Sequence, residues 1–126
     1  MTQVVDSSVV LAYLLEEPGG DVLTRGEASF LLSTVNLTEV LTKIIEHDLD
    51  PETVLRILRP LPIDYVEHGR DDAMLAARLR PISRHLGLSL GDRICLALGQ
   101  RLGVPVLTSD RKWSELDIAI DIRLIR

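Results

Sequence analysis

"LSLGDRICLALGQRLGVPVLTSDRKW", residues Leu88–Trp113, decides the fold. Ser89 followed three residues later by Asp92 reads as a capping box, so a helix opens there. The apolar run that follows is the clearest buried helix in the chain, and Gly103 ends it. "VPVLTS" then reads as a strand that halts at Asp110, with Arg111 and Lys112 opening a short helical turn. A buried helix feeding an apolar strand is the repeating unit of an α/β domain.

The same alternation extends in both directions. "QVVD" is a short apolar strand, and "SSVVLAYLLEEP" a helix closed by Pro18, Gly19 and Gly20. "ASFLLSTV" predicts a second strand. "NLTEVLTKIIEH" predicts a helix with Leu37, Val40, Leu41, Ile44 and Ile45 on one stripe. Pro51 opens another helix, to about Leu58. "LPIDYVE" predicts a third strand. A helix over "RDDAMLAARLRPISRHLG" follows, which Pro81 kinks or interrupts. "VPVLTS" is the fourth strand and "IAIDIRLI" the last. The expectation is an α/β fold with a mostly parallel sheet covered on both faces, in a single domain over residues 1–126.

Bulk properties agree with this reading. Hydrophobic residues make up 46% of the chain and charged residues 26%, enough for a core and an ordinary polar surface. The longest apolar run, Val9–Leu15, is far short of the ~20 residues that span a bilayer, so no membrane association is expected. "MTQVVD" has neither a basic leader nor a signal-peptide core. The lone Cys95 cannot form an internal disulfide, which fits a reducing cytoplasm. Its apolar helical context marks a packed thiol. The net charge of −5 argues against a broadly basic nucleic-acid surface. Yet Arg93, Arg101, Arg111, Lys112, Arg123 and Arg126 crowd the last third, and carboxylates gathered around a cation also make a chain acidic. Four aromatic residues are too few for a base-stacking platform, and Trp113 reads as a packing anchor.

Four acids stand at strand-to-helix junctions or in a first helical turn: Asp6, Glu39, Asp92 and Asp110. In a parallel α/β sheet these places share the carboxyl edge of the strands, where such folds put their ligands. Each acid alone is well explained as a cap. "NLTE" and "SLGD" look like capping boxes, and Asp6 and Asp110 stand where N-caps stand. Together they repel, and each raises the others' pKa unless a cation neutralises them. Oxygen donors without Cys or His suit Mg²⁺ or Mn²⁺ rather than Zn²⁺. The remaining acids read otherwise: Asp71 and Asp72 as capping or solvated, Asp64 and Asp121 as exposed edge charges, Asp117 as loop. His47, His68 and His85 share no metal-ligand spacing and read as surface residues. There is no dinucleotide fingerprint and no P-loop. "DSS" is similar to the D-x-D opening of some phosphatases, but Ser8 stands where the second acid belongs.

"VVDSSVVLAYLLEEPG", "NLTEVLTKIIEHD", "LSLGDRICLALGQRLGVPVLTSDRKW" and "IDIRLIR" together resemble the PIN-domain ribonucleases, and more narrowly the VapC toxins of bacterial type II toxin–antitoxin pairs. The resemblance covers essentially the whole chain, in order and at the right spacing. It implies a three-layer α/β/α domain with an acidic pocket for Mg²⁺ or Mn²⁺, whose acids map onto Asp6, Glu39, Asp92 and Asp110. Ser7 and Thr108 match the small hydroxyl residues beside them. Gly91 stands where the family often has Ala. The implied chemistry is RNA hydrolysis, with the cation held by Asp6 and Asp92, and by Asp110 directly or through water. Glu39 orients the attacking water or takes its proton. Ser7, Thr108 and Ser109 leave room for phosphate, while Arg93, Arg111 and Lys112 are rim contacts, Arg93 being equally a structural ion-pair partner. The resemblance further implies RNA as substrate, a cognate antitoxin covering the acidic site, and a homodimer. The helices around Val9–Leu15 and Leu37–Ile45 suit a dimer contact, although core packing is the simpler reading. Two other readings stand beside this one: a catalytically silent PIN-fold module that binds RNA or protein, and a metal-dependent nuclease or phosphatase with another substrate.

Overall fold

The computed structural model describes all residues from Met1 to Arg126. Five short strands, β1 (Thr2–Val5), β2 (Ser29–Ser33), β3 (Ile63–Val66), β4 (Val106–Thr108) and β5 (Ile122–Leu124), form one sheet in the order β3-β2-β1-β4-β5. Every pairing is parallel. Six helices connect them: α1 (Ser7–Leu14), α2 (Thr34–Glu46), α3 (Pro51–Leu58), α4 (Arg70–Arg78), α5 (Arg80–Ser83) and α6 (Leu90–Leu102).

Parallel strands buried on both faces need apolar side chains in both directions, and the pattern obeys. Val5, Phe30, Leu32 and Leu107 join Val9, Val10, Val40, Ile44, Val54 and Leu58 in the core beneath α1–α3. Val4 and Val106 turn the other way, onto Ile94, Cys95, Leu98, Ala76 and Trp113, under α4 and α6. These are the three layers expected. The apolar stripes of α1 and α2 are spent largely on this core, with Val9, Val10, Ala12, Val40 and Ile44 buried. Cys95 is a buried free thiol, and burial pushes its pKa well up, as a packed side chain requires. Trp113 is fully buried and pins the 3-10 turn Arg111–Glu115 to the sheet.

Several local expectations are corrected. α2 begins at Thr34, two residues before "NLTE", and Ser33 caps it by accepting from the Val35 amide at 3.2 Å. Asn36 is therefore inside the helix, and fully buried. Asp6 occupies the N-cap position of α1 without capping it. Asp72 is neither cap nor solvated: it is buried and ion-paired with Arg101 of α6. His68 is half-buried, unlike the exposed His47 and His85. The interruption expected from Pro81, by contrast, is present: α4 ends at Arg78 and α5 opens at Arg80, with Pro81 in its first turn.

Candidate active site

The sheet order fixes where a site can lie. From β1 the chain crosses to β2 on one side, and β4 enters on the other, so the topological switch point is the crevice beyond β1 and β4. Register places Val4 beside Val106 and Val5 beside Leu107, and the Asp6 amide continues the ladder to the Leu107 carbonyl at 2.9 Å. The next residues out are Asp6 and Thr108, and their side chains meet.

Asp6 Oδ2 accepts from Ser8 Oγ at 2.8 Å and from Thr108 Oγ1 at 3.0 Å. Ser8 Oγ accepts in turn from the Ser109 amide at 3.1 Å, and Thr108 Oγ1 from the Asp110 amide at 3.1 Å. Two hydroxyls thus brace the carboxylate across the β1–β4 seam. Asp6 is 4% exposed, and its second oxygen, Oδ1, is buried with no partner. Its pKa is pushed up to about 6, first by burial, then by the neighbouring charges of Asp92 and Glu39 against the lowering hydrogen bonds from Ser8 and Thr108. Two of the other three acids, Asp92 and Glu39, therefore act on Asp6. Asp110 is tied in through Thr108, while its own Oδ1 accepts from the Lys112 amide at 3.0 Å.

Asp92 sits in the first turn of α6 in the expected capping box. It accepts from the Ser89 amide at 2.9 Å, and Ser89 Oγ accepts from the Asp92 amide at 3.1 Å. Glu39 reaches it from α2, where Asn36 Nδ2 donates to Glu39 Oε1 at 2.8 Å and to the Gly91 carbonyl at 3.1 Å. A methyl group at position 91 would collide with the Glu39 carboxylate, so glycine there leaves the notch in which that carboxylate rests. Sequence reasoning missed Ser8 and Asn36 as site residues. "N-x-x-E" and "D-S-S" held the signal, but the pattern assigned the first to capping and the family resemblance pointed to Ser7 in the second. Ser7 is half-buried, as is Ser109, whose amide serves Ser8. Arg93 turns back onto α4, donating to the Ala76 carbonyl at 2.9 Å. Arg111 and Lys112 are exposed.

The donor set suits a hard divalent cation: carboxylate oxygens only, one of them a buried orphan. No three acidic, histidine or cysteine side chains are drawn together closely enough to hold an ion as they stand. Asp92 and Asp110 each spend one oxygen on a cap, which leaves their other oxygens as the ones that could reach an ion. The largest cavity, about 670 Å³, lies at the far end of α1 around Tyr13, Glu17 and Asp21, away from this chemistry.

The model of the PIN domain family matches residues 4–119. The chain is a PIN domain. Among solved structures, this PIN domain is similar to VapBC2 from Rickettsia felis bound to a promoter DNA fragment (TM-score 0.75, 11% identity, 98% of each chain). It is similar too to VapBC-5 from Mycobacterium tuberculosis (TM-score 0.68, 22% identity, 99% of this chain and 98% of that). A third is VapC20 from Mycobacterium tuberculosis, a sarcin–ricin loop cleaving toxin (TM-score 0.74, 13% identity, 90% and 93%). At these identities the likeness establishes the fold. No curated protein sequence matches. No helix is long and apolar enough to cross a membrane.

Proposed function

We propose that this PIN domain is a divalent-cation-dependent endoribonuclease, the toxin of a type II toxin–antitoxin pair acting in the cytoplasm. The observation that carries the reading is Asp6: a buried carboxylate with one oxygen braced, one orphaned, and two further carboxylates raising its pKa. A protein keeps such an arrangement at a cost in stability, and a cation relieves it. Asp6 and Asp92, with Asp110 directly or through water, would hold Mg²⁺, with Mn²⁺ as a substitute. When bound, the ion supplies Lewis-acid stabilisation of charge on the phosphate and makes hydroxide available near neutral pH.

The chain's own residues do the rest. Glu39, held by Asn36, orients the attacking water and accepts its proton. Ser8 and Thr108 keep Asp6 rigid, which makes Thr108 a brace, its hydroxyl already committed. Ser7 and Ser109 are small enough for a phosphate to approach. Arg111 and Lys112 contact it at the rim, and Arg93 serves by holding α4 on α6. In-line attack leaves a 5′-phosphate and a 3′-hydroxyl. Several similar structures are of toxin–antitoxin complexes or systems, which supports an antitoxin as partner; that this partner is small and covers the carboxylates, and that the toxin is a homodimer, are part of the same proposal.

The test is cleavage of a mixed RNA pool with Mg²⁺ and with EDTA. Cation-dependent fragments with 5′-phosphates, lost in Asp6→Asn and Asp92→Asn, are expected. RNA left intact while DNA or a small phosphate ester is hydrolysed refutes the RNA assignment.

A further inference from the structure

Residues 73–91 contain Arg78, Arg80, Arg84 and His85 and no aspartate or glutamate, the longest stretch of the chain without a carboxylate. The chain's formal charge of −5 is thus a +3 stretch set against −8 elsewhere. Elsewhere basic and acidic side chains are interspersed, and five basic groups are ion-paired: Arg25 with Asp21, Lys43 with Glu46, Arg101 with Asp72, Arg123 with Asp121 and Arg126 with Glu17. Arg78, Arg80 and Arg84 take part in no ion pair, and all three are exposed, as is His85.

The fold holds them outward. Arg78 ends α4, Arg80 opens α5, and Arg84 and His85 begin the 3-10 turn Arg84–Leu86. Between them Leu79 and Ser83 are buried, with Ser83 Oγ donating to the Leu79 carbonyl at 2.7 Å, so the backbone cannot roll the arginines inward. Gly87, at φ +67°, then turns the chain toward Ser89 and the first turn of α6, where Asp92 stands. Arg84 lies five residues before Ser89, at most about 18 Å along an extended chain. The basic strip therefore ends within about 18 Å of the N-cap of the helix that carries Asp92.

A polyanion approaching a body of charge −8 is repelled, and guanidinium groups with no carboxylate of their own are free to neutralise phosphates. We propose that Arg78, Arg80 and Arg84, with His85, form a ridge that binds the sugar–phosphate backbone of single-stranded RNA and leads it to the carboxylates at the sheet edge. This rests on the ribonuclease reading above. The ridge positions the strand without reading its bases, since phosphates carry no sequence information.

The experiment measures binding of a fluorescein-labelled, mixed-sequence single-stranded RNA to full-length Asp6→Asn protein in EDTA, across a salt series. Adding R78A/R80A/R84A flattens the slope of log K against log salt by about 2, from ~0.7 per lost phosphate contact, and weakens binding at low salt by at least about tenfold. The charge-matched control R25A/R56A/R59A leaves the slope unchanged. Equal slopes in all three proteins, equal flattening by both triples, or no RNA binding at all overturns the ridge. So does a ridge triple that binds RNA normally but changes oligomeric state, which marks a protein contact. Cleavage by the wild-type chain in Mg²⁺ is scored in parallel. Cleavage with an unchanged slope overturns the ridge alone, and a flattened slope without cleavage overturns the nuclease reading alone.

Discussion

Thr108 Oγ1 donates to Asp6 Oδ2 at 3.0 Å across the seam between β4 and β1, joining residues 102 apart in sequence. The same hydroxyl accepts from the Asp110 amide, so one side chain fixes both acids at the switch point. Thr108→Val keeps the volume and removes both bonds, leaving a buried carboxylate oxygen and an amide short of a partner. We expect a loss of about 1–3 kcal/mol in urea unfolding at pH 7.5, largely restored by Thr108→Ser. An unchanged midpoint means the hydroxyl braces nothing.

The pKa of Asp6, about 6 against an ordinary 3.8, makes metal-free stability depend on pH. A carboxyl with a raised folded pKa favours the fold fully below the unfolded value, and that contribution is lost as pH rises through about 6. The loss amounts to about 2 kcal/mol between pH 4 and pH 7. Asp6→Asn abolishes this dependence, so the metal-free variant unfolds at a higher temperature than wild type at pH 7. Thermal melts at pH 5 and pH 7 in EDTA check it. Asn melting below wild type at both pH values supports a capping role for Asp6 instead.

Protons and cations compete for the same carboxylate. Mg²⁺ is therefore expected to raise the wild-type melting temperature more at pH 7 than at pH 5, with proton release measurable by calorimetry in buffers of different ionisation enthalpy. Below pH 6 the cation affinity falls by up to about tenfold per pH unit. A stabilisation by Mg²⁺ that is equal at both pH values, or retained in Asp6→Asn, places the ion elsewhere.

Asn36 holds Glu39 by a 2.8 Å hydrogen bond while its own Oδ1 is buried without a partner. Removing it leaves Glu39 unaimed, and Asn36→Ala is expected to lower RNA cleavage by about 10–100-fold, the cost typical of groups that orient a metal site's residues. Because it acts through Glu39, the N36A/E39Q double variant cleaves no more slowly than E39Q alone. Multiplying losses in the double variant count against this role. Gly91→Ala is the complementary probe, since the added methyl occupies the space of the Glu39 carboxylate.

What was legible in the sequence was local. The capping box of Ser89 and Asp92 lies within four residues, and the strand ending at Asp110 lies in one continuous run, so both are encoded where they act. That Asp92 and Glu39 lie near enough to Asp6 to raise its pKa follows from a parallel sheet having one carboxyl edge, a rule of topology that needs no coordinates. What stayed hidden depends on partners distant in sequence. Ser8 outranks Ser7 only because Ser109 arrives beside it, 101 residues later. Asn36 looked like a cap because Ser33, three residues earlier, is an equally good one and takes the role. Arg93 resembled a rim contact until α4 supplied the Ala76 carbonyl.

Asp72 shows the same limit, and its partner makes it testable. The carboxylate is buried, while the Arg101 side chain that forks onto it through Nε and Nη2 is 36% exposed. The arginine is thus partly hydrated already, and the acid carries most of the desolvation cost. Removing the arginine strands a buried charge, whereas removing the charge leaves a neutral group that Arg101 can still donate to. Arg101→Ala is therefore expected to destabilise by about 2–3 kcal/mol at pH 7, less than a fully buried pair because water reaches the site. Asp72→Asn costs about half as much. Urea unfolding at pH 7 measures both, beside Arg101→Met, which keeps most of the alkyl stem without the charge and is expected to be no more stable than Arg101→Ala. Recovery of stability in Arg101→Met would show that Arg101 matters through its packed alkyl chain rather than its charge.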